Sequence, residues 1–205
     1  MTAIRLLRDD AEGTLVGTGP SLSGPASFDG PVLCLNESIL LVPGIALVWD
    51  ADPAVRLQTL LAGQSVPCYA VREVWEDSRC PWVRRHPASR YLERKDPAVA
   101  LARVGTATVG IALLSDMGIR RIRLVGFDAF WRYEPKLRAR PTDGPDRIDR
   151  SDPAFSTSRS LSSRLEEVGG PGDRGGVDRY WRISRCMVQT ADRLGVELVK
   201  PEETT

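Results

Sequence analysis

The sequence predicts an α/β fold, a mainly parallel sheet flanked by helices. Three observations predict it. Short apolar runs at 14–16, 32–35, 45–49 and 67–71 each end in turn formers or polar residues, and each is too short for a helix. A capped helical pattern stands between the third and fourth runs. A second helix-then-strand unit follows at 106–125. Strand, helix and strand in succession is the order of a crossover unit joining parallel strands.

Each element has a local reason. In the helix at 52–63, Asp52 suits the N-cap, Pro53 the first helical position and Gly63 the stop. The stretch 65–103 is mixed: 73–82 is charged and aromatic, and 81–94 suits one or two irregular helices. Residues 106–117 are small and apolar, a helix that Gly118 ends, and 121–125 is a strand that stops at the motif GFDAFW. From 132 to 177 proline, glycine, serine, aspartate and arginine dominate, as in a flexible lid or insertion before the last helix. Asp178 then caps a helix with Tyr180, Ile183, Met187 and Ala191 at helical spacing and Gly195 as stop; 196–199 is the last strand.

Bulk properties narrow the function classes. A chain of 205 residues suits one domain over 1–205, with the segment 132–177 as an excursion within it. With 28 basic and 27 acidic side chains, net charge speaks against nucleic-acid binding. Its cations are nearly all arginine, which suits planar phosphate or carboxylate recognition. No apolar run approaches the roughly 20 residues of a membrane helix. The N-terminal stretch lacks the apolar core of a signal peptide, so a cytoplasmic protein without a membrane span is expected. Cys34, Cys68, Cys80 and Cys186 form no C-x-x-C pair and have a single histidine for company, which argues against zinc. An assembly of identical chains stays open.

In parallel sheets, ligands bind outside the carboxyl ends of the strands. The polar residues just past the strand ends are therefore the candidate site. Gly17, Thr18, Gly19, Pro20 and Ser21 follow the first strand, and their backbone N–H groups suit a phosphate. A plain structural turn explains the same residues. Asn36 follows the second strand and can donate and accept at once, as a nucleobase or ribose edge requires; a turn cap is its bland alternative. Asp50 follows the third and could hold Mg²⁺ with phosphate oxygens. Asp128, in GFDAFW, could bind sugar hydroxyls, act as a base, or simply bond loop amides. His86 reads as a surface loop residue. Trp75, Trp82 and Trp131 suit either core packing or an acceptor platform.

Taken together and in order, VGTGPSL, VLCLNES, ALVWDADP and GTATVGIALLSDMGIRRIRLVGFDAFW resemble the bacterial sialyltransferases of glycosyltransferase family 42 and the related MptE-like 6-hydroxymethylpterin diphosphokinase domain. The likeness covers the first two-thirds of the chain, and the final helix and strand fit it. It implies a Rossmann-like domain that binds a nucleotide through Gly17–Ser21, Asn36, Asp50, Gly105, Thr106 and Gly126, with Asp128 in the site. Thr18 and Asp50 stand where the family has asparagine. Val104-Gly105-Thr106 replaces its Thr-Ser-Gly, and Asp178 falls at or near its lid histidine. The resemblance implies a lid over 132–177, where seven arginines from Arg138 to Arg174 could close over phosphates.

The leading expectation is a glycosyltransferase-like enzyme. It would bind a nucleotide sugar, for example a CMP-linked one, and pass the sugar to a hydroxyl acceptor, with Asp128 or Asp178 taking the proton. No cofactor is required by that reading. The alternative is a Mg²⁺-dependent MptE-like diphosphokinase with Asp50 as metal ligand. A third reading is a non-catalytic nucleotide-binding or assembly module, of the kind a phage or bacterial operon carries.

Overall fold

The computed structural model describes residues 11–19, 21–22, 27–61, 63–93, 105–128, 130–132 and 177–201, with 177–181 described by backbone alone. The strands are β1 (Glu12–Val16), β2 (Val32–Leu35), β3 (Ile45–Val48), β4 (Cys68–Val71), β5 (Arg90–Leu92), β6 (Arg121–Val125) and β7 (Glu197–Val199). The helices are α1 (Ala51–Leu60), the single turn α2 (Arg72–Trp75), α3 (Thr106–Asp116) and α4 (Val177–Leu194). Three-ten turns cover Asn36–Leu40 and Pro81–Arg84.

The strands form one sheet in the order β5-β4-β3-β2-β1-β6-β7. All six pairings are parallel, as a Rossmann-like α/β fold requires. Because helices cover it, the inner strands are apolar on both faces: every residue of β2 and β4 is buried. Register puts Leu15, Leu33 and Leu124 side by side on one face. There α3 lies on the sheet, with Gly110 against Leu15 and Leu47. Burying a leucine of this kind contributes about 1.5–3 kcal/mol relative to exposure. Met187, Val188 and Ala191 of α4 join the same core, and Ile183 lies against Gly105 at the start of α3.

Three boundaries differ from expectation. Helix α1 starts at Ala51, so the extended Asp50 (φ −111°, ψ 148°) is the N-cap position, while Asp52 falls in the first turn. Proline tolerates any first-turn position because those N–H groups lack intrahelical acceptors. Helix α4 starts at Val177, which places Asp178 inside the first turn rather than at the cap. The third difference is β5, which lies where irregular helices are expected. The edge of β4 accepts it: Tyr69, Ala70 and Val71 pair with Arg90, Tyr91 and Leu92. The Cys68 amide donates to Ser89 Oγ at 3.0 Å, and the Arg90 guanidinium sits 5.6 Å over the Tyr69 ring.

On the opposite face of β1, β6 and β7, charges form a ladder. Arg121 pairs with Glu197 at 3.0 Å and with Glu12 at 3.8 Å, and Arg123 also pairs with Glu12. The expected lid lies almost wholly outside the described residues. Among the described residues no helix is long and apolar enough to cross a membrane.

Candidate functional site at the carboxyl edge of the sheet

Strand β1 lies inside the sheet with β2 on one side and β6 on the other. From β1 to β5 the chain steps one way; through α3, β6, α4 and β7 it steps the other. The carboxyl ends of β1 and β6 therefore flank the topological switch point, where sheets of this class bind ligands. The loops carrying Gly17–Ser21, Asn36, Asp50 and Gly126–Asp128 all leave this edge. Helices α3 and α4 also begin there, since each runs back to feed the next parallel strand. The fold thus gathers the predicted positions at one edge; Pro20 falls outside the described residues.

The exits of β1 and β6 are clasped together. The Gly17 amide donates to the Val125 carbonyl and the Gly19 amide to the Gly126 carbonyl, both at 2.8 Å. The Leu22 amide turns back to the Gly19 carbonyl at 3.0 Å. Ser21 donates its amide to both Asp128 oxygens at 3.1 Å and its hydroxyl to Oδ2 at 3.0 Å. This approach explains the glycines. A Cβ on Gly17 would sit 2.6 Å from the Gly126 carbonyl oxygen. One on Gly19 would meet the same oxygen at 2.6 Å and run into Asp128 Oδ2. Gly126 itself holds φ +71°. The loop is shaped by its neighbour, and the amides of Gly17, Gly19, Ser21 and Leu22 all have acceptors within the chain.

The exit of β2 is built differently. Asn36 has φ 51°, the only positive φ at a non-glycine among the described residues. Left-handed backbone costs most side chains about 1–2 kcal/mol, and asparagine tolerates it best. Its Oδ1 is buried and has no hydrogen-bond partner among the described residues. Buried acceptors are nearly always paired. The residues beside it are fully engaged. Glu37, 6% exposed, accepts from Arg56 of α1 at 2.7 Å and 3.0 Å. The Ser38 hydroxyl lies 3.0 Å from both the Val16 and Leu35 carbonyls and ties the ends of β1 and β2. Ser38 is thus a structural hydroxyl. The Glu37–Arg56 pair carries no periodicity or motif that would reveal it in the sequence.

The other candidates vary. Asp50 is exposed at the start of α1, and its side chain makes no cap bond. Asp52, next on the helix, is exposed too. Among the described residues no three His, Cys, Asp or Glu side chains converge as a metal site. Gly105 (φ 86°) precedes α3 and offers no side-chain cap to the amides that follow Thr106. Asp178 is placed in the first turn of α4 by its backbone. His86 Nδ1 accepts from the Ala88 amide at 3.0 Å, a local turn. Trp82 is buried with Nε1 donating to the Ala54 carbonyl, and Trp131 Nε1 donates to the Leu124 carbonyl; both serve packing.

Burial disfavours the thiolate at all four cysteines. Burial pushes Cys34 up to about 12, against a smaller opposing effect of the Ser38 hydrogen bond. Burial raises Cys68 further, helped by nearby Cys80, and burial also raises Cys80 and Cys186.

Comparison with protein-family models, with curated proteins and with solved structures gave no match for this chain.

Proposed function

We propose that this chain binds a nucleotide-activated sugar at the carboxyl edge of its sheet and passes the sugar to a hydroxyl acceptor. One observation carries the binding half: the buried, unpartnered Oδ1 of Asn36, held in left-handed backbone beside the switch point. An acceptor so placed calls for a ligand that brings a donor, such as a ribose hydroxyl or an exocyclic amine. The order of the four motifs supports the transfer half. Asp128 and Asp178 are the carboxylates proposed to take the acceptor's proton. Asp128 must first release Ser21, because both of its carboxylate oxygens are taken up by the Ser21 amide and one of them by the hydroxyl as well.

The test is ligand-observed NMR with CMP and a CMP-linked sugar on the wild type and Asn36→Gly. Glycine accepts the backbone angle and removes only the side chain, so loss of binding in a folded variant supports the reading. Binding that is absent from the wild type, or unchanged in the variant, refutes it. The engagement of Asp128 favours, as a second reading, a module that binds the nucleotide without chemistry. Turnover of the CMP-linked sugar separates the two. The diphosphokinase alternative rests on Asp50. It predicts that ATP binds only with Mg²⁺ and that Asp50→Asn removes that requirement.

A further inference from the structure

The clasp has a chemical peculiarity. A carboxylate sits on the amide and the hydroxyl of one serine in a glycine-rich loop after the first strand. Those two donors, converging on one point, are what an oxyanion needs. Asp128 is the anion now on them. We infer that Ser21 is an oxyanion seat for a phosphoryl group, with Asp128 as a built-in competitor for its two donors.

Two features support displacement over a fixed structural tie. First, the seat does not depend on its occupant. The bonds from Gly17 to Val125, from Gly19 to Gly126 and from Leu22 to Gly19 are backbone to backbone. They hold the loop whether or not the carboxylate is present. Second, the hold is loose. Ser21 is exposed and Asp128 only half-buried. The hydroxyl-to-carboxylate distance of 3.0 Å is longer than the roughly 2.5–2.7 Å of a strong bond of that kind. A phosphoryl group brings more charge and three acceptor oxygens, so it can take the donors from a single carboxylate. Gly19, whose lack of a Cβ leaves room for Asp128 Oδ2, leaves the same room for an incoming oxygen.

The inference deepens the nucleotide reading of this edge and rests on it for the source of the phosphoryl group. Its test does not require a nucleotide. Sodium pyrophosphate and CMP are titrated separately, by calorimetry, into the wild type, Asp128→Asn and Asp128→Ala. Removing a competitor that holds the seat most of the time raises apparent affinity about tenfold. That gain is expected for pyrophosphate in both variants, and Ser21→Ala added to Asp128→Ala should cancel it. Asp128→Asn is isosteric and decides the matter if the alanine variant does not fold. Unchanged or weaker pyrophosphate binding in the folded asparagine variant overturns the inference and makes Asp128 a loop-positioning residue. A gain for pyrophosphate without any CMP binding keeps the seat and removes the nucleotide reading.

Discussion

Two regions lie side by side at the carboxyl edge, the joined exits of β1 and β6 and the exit of β2, and they treat their polar groups in opposite ways. At the exits of β1 and β6, the chain satisfies itself: loop amides meet loop carbonyls, and Ser21 meets Asp128. At the exit of β2, Glu37 and Ser38 are engaged, yet the acceptor of Asn36 between them and the strand is left over. The glycine-rich stretch has its donors taken by the chain itself, through backbone pairs and through Ser21 on Asp128. The plain asparagine, which looks like a turn cap, is the group that packing does not explain. Glycines report that something comes close; only an accounting of partners reports whether that something is the chain itself.

The comparison breaks most readily at Gly126. Alanine there adds left-handed strain and a Cβ 2.6 Å from the Gly17 carbonyl oxygen. Urea denaturation should register a loss of about 3 kcal/mol, the sum of backbone strain and overpacking. A loss below about 1 kcal/mol would mean the clasp yields easily and does not set the loop. On the β2 side, Glu37→Gln leaves the half-buried Arg56 without its counter-charge and should cost about 2 kcal/mol by the same measurement. A smaller change would show that the pair does not anchor the turn under Asn36.

The next effect is alkaline. Cys34 lies in β2 beneath that turn, with its folded value raised from 9.0 to about 12. Between those values the unfolded chain has lost the proton and the folded chain has kept it. The stability contribution is therefore complete below pH 9 and falls as pH rises towards 12. The slope is at most about 1.4 kcal/mol per pH unit for this thiol, and Cys34→Ala should remove it from the denaturation profile. The smallest stability effect is expected at Asn36→Gly, within about 1 kcal/mol of wild type, because relief of strain offsets the added freedom of the unfolded chain. Thermal unfolding measures it. A large loss would mean the asparagine side chain holds the turn after all, and the contrast between the exits would collapse.

The strands were legible because burial on both faces leaves uninterrupted apolar runs, as in VLCL and CYAV. The helix α3 was legible from its small apolar residues and the glycine that follows. Strand β5 was not: Arg90 and Tyr91 are exposed, and a three-residue edge strand is defined by its partner rather than by its own pattern. Position at the edge was legible for Asn36, Asp50 and Asp128 from strand ends alone. Their states were not. The partnering of Asp128 with Ser21 spans 107 positions. The orphaned oxygen of Asn36 exists only once its neighbours have been placed.

The strand order also sets a timetable. Strand β1 is an inner strand of the finished sheet, and its partner β6 comes more than a hundred residues later. At ribosomal speeds of roughly 5–20 residues per second, β1 waits about 5 to 20 seconds with one edge unmatched. During that interval β2 to β5 can assemble on its other side. Gly17, Gly19 and Ser21 then wait for the clasp, and the candidate site is incomplete until Asp128 has been made.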